Sequence, residues 1–286
     1  MPSDVRRAFD QFTIRMFRLV DYKPGEPGEL FFRLNQMTYL TAAEQRNAFF
    51  GPVREQVRSL VKALEPDVAQ GVIGFSNRRM AYDDVFARLL CTLELGTLGL
   101  KLSANQISSR YRSSNPFSRK TLRVAEGSVH FLKEALARQH EKIRFNKATL
   151  FSWLVFASYF SRTEASPRIL VDFIWQFEAQ RFRSMERLSE FKLTQMTELP
   201  HQVERTLLRI FNDRSSSRVS DVSSVVFRDA ILWIFYSHGL DRPKTILPKE
   251  KQSIVNKAYR LLDSSTQSPE EILEGSFGSG SWGDLK

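Results

Sequence analysis

The stretch from Ser108 to Arg123 has the residue types best suited to chemistry with a polyanion. Its five candidate nucleic-acid contacts are Arg110, Arg112, Arg119, Lys120 and Arg123. Tyr111 and Phe117 are interleaved with these cations. Cationic side chains neutralise phosphates and aromatic rings stack on bases, so the pattern predicts a nucleic-acid contact. A solvated loop whose charges only maintain solubility is the alternative, and the sequence does not separate the two.

A second set of polar residues precedes this stretch. Its candidate contacts with a nucleotide or nucleic acid are Arg33, Asn35, Arg46 and Asn47, and Thr41 with Glu44 forms a structural motif beside them. Guanidinium and amide groups donate hydrogen bonds to phosphates and to base edges. The structural interpretation is that Asn35 ends one helix, Thr41 and Glu44 form a capping box on the next, and Arg46 joins the two helices.

The order of these residues resembles a known family. The segment ending Phe32-Arg33-Leu34-Asn35 gives the pattern F-x-R-L-N, and T-x-x-E-x-R-N-A begins at Thr41 and leads to Gly51. The two together resemble the N-terminal domain family of GmrSD-type restriction endonucleases, also known as domain of unknown function 262. The resemblance covers roughly residues 1–60 and implies a ParB/sulfiredoxin-like core that handles nucleotides in bacterial defence against foreign or modified DNA.

The family's catalytic D-G-Q-Q-R turn lies upstream of F-x-R-L-N, and no such turn occurs in this sequence. The resemblance therefore implies a DNA-associated component of a restriction or anti-phage system that lacks its own catalytic motif. One alternative is a nucleotide-dependent nuclease completed by a partner chain, which would then bring nucleoside triphosphate and Mg²⁺ into use. A protein–protein adaptor is the other.

Other enzyme signatures do not form in the sequence. His130, His140, His201 and His238 have no metal-ligand spacing. Asp172 precedes Glu190 and Lys192 as in some nucleases, but it lies in a helical pattern. Glycines from Gly275 to Gly283 are not placed between a strand and a helix, so they do not form a phosphate loop. We assign no catalytic and no metal-binding residue.

The apolar periodicity predicts a mainly α protein, a multi-helix bundle with a small α+β remnant of one or two strands at its N-terminus. Residues 148–160 are apolar nearly all round, as in a central buried helix. Arg228 and Asp229 interrupt another apolar helix and predict a polar seam, because a lone buried ion is costly. Gly127 is expected to weaken the helix that follows Ser118.

Residues 12–20 predict the main strand, with residues 72–73 as a brief second one. A single strand leaves its backbone N–H and C=O groups unpaired, so we expect it to pair with a partner protein or with a second copy of the chain. Phe12, Ile14 and Met16 would form the apolar face of that contact.

Three regions are predicted: residues 1–75 as the remnant core, 76–263 as a helical domain, and 264–286 as a mobile Ser/Gly-rich tail. The net charge of +10 favours acidic partners such as DNA. A single cysteine, Cys91, allows no disulfide within the chain, and the N-terminus lacks a signal-peptide pattern. No apolar run is long enough to span a bilayer. These features favour a cytoplasmic protein without membrane contact.

Overall fold

The computed structural model describes residues 3–13, 16, 18–34, 40–64, 73–113, 115–137, 145–163, 166–184, 195–239, 246–278, 280 and 282–285. These residues are mostly helical. The helices are α1 (Ser3–Asp10), α2 (Glu26–Leu34), α3 (Ala42–Arg46), α4 (Pro52–Leu64), α5 (Ala81–Leu95), α6 (Ala104–Arg112), α7 (Arg119–Ala137), α8 (Lys147–Phe160), α9 (Arg168–Arg183), α10 (His201–Ser216), α11 (Val222–Ser237), α12 (Lys249–Ser264) and α13 (Pro269–Phe277). A 3-10 turn at Arg78–Met80 leads into α5. The prediction of a mainly α multi-helix bundle is confirmed.

Local sequence sets the helix ends. Thr41 and Glu44 form the predicted capping box at the start of α3, and capping boxes also begin α6, α8 and α13. Each box satisfies two backbone N–H groups that the helix itself leaves without partners. Gly96 ends α5 at φ +71°, a left-handed conformation that glycine adopts without strain.

Two apolar helices, α8 and α11, form the centre of the core. Between Lys147 and Phe160 every residue after the first is buried, which confirms the predicted central helix. Aromatic rings join the two helices: the Phe156 and Trp233 centroids are 4.5 Å apart, and Tyr236 packs edge-on to both. Buried rings of this size supply much of the apolar area that stabilises a helical core.

Gly127 has a packing role that its helix propensity does not reveal. A Cβ built at Gly127 would lie 2.6 Å from the Cβ of Ser161, at the end of α8. The missing side chain therefore allows α7 and α8 to approach closely. The low propensity of glycine is the cost of that contact.

The predicted polar seam at Arg228 and Asp229 is confirmed. Arg228 donates from Nε to Ser152 Oγ over 2.9 Å and from Nη2 to the Val219 carbonyl over 3.0 Å. Asp229 accepts from Trp282 Nε1 over 3.0 Å. Arg228 and Asp229 are adjacent in sequence and both are buried, yet a different segment of the chain holds each of them.

The described part of the segment from residue 264, predicted as a mobile tail except for residues 269–273, packs against the rest of the protein. Helix α13 extends to Phe277, and Trp282 is fully buried against it. Backbone hydrogen bonds of 2.7 and 2.8 Å tie Gly283 and Leu285 to the turn that follows α5. Ser/Gly-rich composition suggested mobility, but buried apolar side chains and satisfied backbone groups hold this segment in place.

The described residues of the predicted strand at 12–20 form no strand. Phe12, Met16 and Val20 are exposed and carry no regular secondary structure, and Ile14 lies outside the described residues. Ile73, from the second predicted strand, is buried in a bend, and Val72 is also outside them. Within the described residues no neighbouring strand offers backbone partners; the β pairings there are isolated bridges, Thr97 with Asp284 and Thr197 with Gly239.

One hydrophobic core crosses the boundaries predicted at 75/76 and 263/264. Phe49 and the apolar face of α4 belong to the same cluster as α5 and α7, and so do Ile272 and Trp282. The apolar face of α4, formed by Val53, Val57, Leu60, Val61 and Leu64, is buried throughout. Among the described helices, none has the length and apolar character required to cross a membrane.

Candidate functional site

A cluster of exposed cations lies at the start of α7. Ser118 caps this helix, since its Oγ accepts from the Thr121 N–H over 3.2 Å. Glu94 accepts from the Ser118 N–H and hydroxyl over 3.2 and 2.9 Å, and also from Thr121 Oγ1. Burial opposes ionisation of Glu94, but the hydrogen bonds from Thr121 and Ser118 outweigh it and lower the pKa of this carboxyl. The start of α7 is therefore held firmly by α5.

Arg119, Lys120 and Arg123 extend from this fixed turn into solvent. None of the three makes an ion pair or hydrogen bond with another residue that the structure describes. The positive end of the helix dipole also lies at this N-terminus. The charge of the three cations therefore adds to that of the dipole and makes this turn strongly attractive to anions.

Helix α4 runs beside α7 and also carries exposed cations. Gln56 exchanges two hydrogen bonds with the Phe117 backbone, at 3.2 and 2.8 Å, and Lys133 of α7 donates to the Ala63 carbonyl over 3.4 Å. These contacts place α4 and α7 side by side in the same direction. Arg58 and Lys62 are exposed on α4. We define the α4–α7 face as Arg58, Lys62, Arg119, Lys120 and Arg123; Glu55 and Glu126 are exposed carboxylates on the same two helices.

Arg110, predicted as a nucleic-acid contact, closes its own loop instead. Nη1 donates to Ser113 Oγ and the Asn115 carbonyl over 2.9 and 2.6 Å, and Nη2 to the Pro116 carbonyl over 2.8 Å. Its guanidinium carbon also lies 4.5 Å from the centroid of the Phe117 ring. A side chain engaged in this way is occupied in shaping the connection between α6 and α7.

Arg112 lies against the N-terminal helices. Its guanidinium carbon is 4.5 Å from the Phe32 ring centroid and 5.0 Å from that of Phe49, and Nε is 3.3 Å from Glu29 Oε2. Stacking on two rings and pairing with a carboxylate attach α6 to α2. Arg112 therefore stands apart from the cations of the α4–α7 face.

The predicted stacking rings are not available to bases. Tyr111 and Phe117 are both buried in the core. Burial also raises the pKa of the Tyr111 hydroxyl well above its ordinary value. Burial of the apolar surface of these rings under α6 and the following loop is more favourable than its exposure. The rings interleaved with the cations therefore do not form a surface on which bases could stack.

The residues around α3 divide into exposed and structural ones. Arg33 is exposed and its Nε lies 3.5 Å from Glu29 Oε1, while Asn35 lies outside the described residues. Asn47 accepts from Arg54 Nε over 3.2 Å. The backbone hydrogen bond from Thr41 is the largest cause of the lowered pKa of Glu44. The capping role predicted for Thr41 and Glu44 is therefore confirmed.

Arg46 is 1% exposed and so cannot contact a nucleic acid directly. Its Nη2 donates to Asp84 Oδ1 over 2.5 Å, and its guanidinium carbon lies 5.7 Å from the Tyr111 ring centroid. It joins α3 to α5 and α6, whereas the structural interpretation of the sequence placed it between α2 and α3. Burial favours the neutral form of Asp84, but Arg46 and Lys147 outweigh it and lower the pKa of Asp84.

Sequence reasoning missed a charged cavity of ≈ 80 Å³ beside this pair. Asp84, Arg88, Lys147 and Arg228 line it, together with apolar residues such as Phe151. Each of α5, α8 and α11 contributes to it. No sequence signal could have revealed it, because its charged residues are spread over more than half of the chain.

A larger groove of ≈ 690 Å³ lies between α9 and α11. Phe173, Trp175 and Tyr236 contribute rings to it, and Gln180 and Arg183 contribute polar groups. Asp172 lies on α9 at the groove's edge and is exposed, on a helix as the sequence predicted. Among the described residues, no group of three His, Cys, Asp or Glu side chains is arranged to hold a metal ion.

Comparison with known protein families, with curated proteins and with solved structures found no match to this chain.

Proposed function

We propose that this protein is a DNA-associated component of a bacterial restriction or anti-phage defence system, without a catalytic motif of its own. The defence role rests on the resemblance of the F-x-R-L-N and T-x-x-E-x-R-N-A segments to GmrSD-type N-terminal domains. The DNA contact rests on the α4–α7 face, which is independent of that resemblance.

The observation that carries the DNA contact is the arrangement of Arg119, Lys120 and Arg123. The three are exposed on one helix turn, without ion-pair partners among the described residues. Hydrogen bonds from Ser118 and Thr121 to Glu94 fix this turn, so little conformational entropy of the backbone is lost when an anion binds there. Evenly spaced phosphates of a duplex suit such a row of cations.

The contact we propose is to the DNA backbone. The aromatic residues that could have stacked on bases, Tyr111 and Phe117, are buried. Phosphate contacts position a protein on DNA and carry no sequence information of their own. Binding through this face should therefore be insensitive to sequence and weaken steeply with salt, and recognition of a particular target would come from a partner.

Fluorescence anisotropy with a labelled duplex tests the proposal. The test variant replaces Arg119, Lys120 and Arg123 with glutamine. A matched control replaces Lys249, Lys257 and Arg260, three exposed cations of α12, and so removes the same charge. We expect the test variant to bind at least about a hundredfold more weakly at low salt, and the control to bind nearly as wild type does. Equal losses in the two variants would refute a role for this face.

The second candidate function, contact with a partner protein, is favoured by the N-terminal segment. Phe9, Phe12 and Met16 are exposed apolar residues before α2, and Met16 is 90% exposed. Large exposed apolar side chains close together in the chain are typical of surfaces covered by another polypeptide. In the alternative of a nucleotide-dependent nuclease, this partner would supply the catalytic motif, and the isolated chain would hydrolyse neither nucleoside triphosphates nor DNA.

A further inference from the structure

The charged cavity between α5, α8 and α11 has an excess of positive charge. Arg88, Lys147 and Arg228 line it, and Asp84 is the only carboxylate among its described lining residues. Lys147 Nζ lies 3.4 Å from Asp84 Oδ2, and Arg46 donates to the other oxygen of the same carboxylate. Arg46 and Lys147 therefore contact this carboxylate directly, and Arg88 and Arg228 add further positive charge to the cavity wall.

Neighbouring groups hold the cations of the cavity wall in place. Arg46 pairs with Asp84 but does not line the cavity; it is almost wholly buried, and among the described residues its Nε and Nη1 have no hydrogen-bond partner. Arg88 donates from Nη1 to the Leu102 carbonyl over 2.9 Å. By contrast, Arg228 is held on three sides by Ser152 and by the Arg214 and Val219 carbonyls. Arg88, Lys147 and Arg228 are thus fixed at the cavity wall, where their positive charges favour an anion.

Two helix N-termini add to the positive potential. Lys147 is the first residue of α8, and Ala148 beside it also lines the cavity. Ser220 and Val225 come from the start of α11, where Asp221 provides no side-chain hydrogen bond to the first turn. The positive ends of both helix dipoles therefore lie at the cavity.

Burial and mutual repulsion both favour the neutral forms of these cations. Burial is the main cause that lowers the pKa of Arg88, and Arg46 lowers it further against the opposing effect of Asp84. Burial likewise lowers the pKa of Arg228 to about 10, with Arg88 as the second cause. An anion between these groups would relieve both effects.

We propose that this cavity binds a small oxyanion of the phosphate class. A volume of ≈ 80 Å³ holds roughly two or three waters, or one tetrahedral ion in their place. Phosphate could reach it as the free inorganic ion or as the terminal group of a phosphate ester, because Lys147 is half-exposed at the cavity mouth. This site lies apart from the α4–α7 face, and the proposal is independent of DNA binding.

Isothermal titration calorimetry of the full chain with inorganic phosphate, at constant ionic strength, tests the proposal. We expect one saturable site in the wild type, competed by sulfate and not by chloride. Lys147→Gln should weaken phosphate binding about tenfold, since it removes one charge-assisted contact. Lys249→Gln is the matched control, because Lys249 is the exposed first residue of α12 as Lys147 is of α8, and it should bind phosphate as wild type does.

Asp84→Asn gives an effect that mere damage to the fold would not produce. Removing the competing carboxylate should tighten phosphate binding, while loss of structure would weaken it. Titration with glycerol phosphate identifies the source: tighter binding than inorganic phosphate indicates an ester ligand, and weaker binding indicates the free ion. No saturable binding by wild type, or equal weakening in Lys147→Gln and Lys249→Gln, would overturn the proposal. The Arg119, Lys120 and Arg123 variant should retain phosphate binding even if it loses DNA.

Discussion

Arg46 Nη2 lies 2.5 Å from Asp84 Oδ1, and this contact joins the segment with the recognisable motif to the helical core. Arg46 belongs to T-x-x-E-x-R-N-A, and Asp84 is in the first turns of α5. Thus a residue that the sequence offered as a possible ligand contact holds α3 in place. The same carboxylate also faces the charged cavity, so the two features share one residue.

Replacing Arg46 with alanine should lower the free energy of unfolding by about 2–4 kcal/mol, because Asp84 would lose its closest partner and a buried gap would remain. The matched control is Arg33→Ala, which removes an arginine whose side chain is 72% exposed and pairs only at the surface. That change should cost less than about 0.5 kcal/mol. Urea unfolding of the two variants measures both values, and similar costs would contradict the structural role of Arg46.

Asp229 should make stability depend on pH in an unusual direction. Burial raises the pKa of this carboxyl to about 6, against the smaller effects of Lys251 and Trp282. The folded state therefore binds the proton more tightly than the unfolded state does, so this group's contribution is full below about pH 4 and is lost as pH rises through about 6. The Asp229→Asn variant does not undergo this pH-dependent loss of stability. Thermal unfolding should show the variant gaining stability relative to wild type between pH 4 and 7; a constant difference over that range would contradict the assignment.

Gly127 should resist substitution although alanine is the better helix former. Gly127→Ala places a Cβ 2.6 Å from the Ser161 Cβ, so α7 and α8 must move apart, and we expect a loss of about 1–3 kcal/mol. Gly275→Ala is the control, because Gly275 is also helical but a Cβ there meets no atom within 4 Å. It should stabilise the protein by up to about 1 kcal/mol. Stabilisation by both changes would show that α7 and α8 do not pack closely at Gly127.

The exposed N-terminal apolar residues should promote association. We expect replacement of Phe12 and Met16 with serine to shift the protein towards monomer in sedimentation velocity, because the two exposed apolar side chains are then absent. The double replacement Leu95→Ser and Leu100→Ser is the control, because these exposed leucines lie at the end of α5 and just after it, outside the proposed contact. A wild-type monomer at all concentrations would argue against a partner surface in this segment.

Helices and their ends could be read from the sequence because their causes are local. The capping pair Thr41 and Glu44, the stop at Gly96 and the uniformly apolar run before Phe160 each depend on neighbours within a few residues. The strand expected at residues 12–20 is absent from the described residues there, and the segment after residue 264 packs against the core, for a different reason. Strand formation and the burial of Trp282 depend on partners far away in sequence, which composition does not report.

The candidate site divides in the same way. Exposed charge at Arg119, Lys120 and Arg123 was predictable, because a polar helix turn with few apolar residues faces solvent. The engagement of Arg110 with the loop carbonyls was not, since it depends on how the chain turns between α6 and α7. The cavity lined by Asp84, Lys147 and Arg228 was beyond sequence reasoning, because only the packing of three helices brings those residues together.

The salt dependence of duplex binding tests the central claim most directly. Wild type should show log K falling linearly with log salt concentration, with a slope near −0.9 for each phosphate contacted. The variant lacking the charges of Arg119, Lys120 and Arg123 should have a slope smaller in magnitude by roughly 2–3, because up to three phosphate contacts are lost. The α12 control variant should keep the wild-type slope. A flat wild-type response, or the same slope in wild type and in the α7 variant, would contradict a DNA contact through the α4–α7 face.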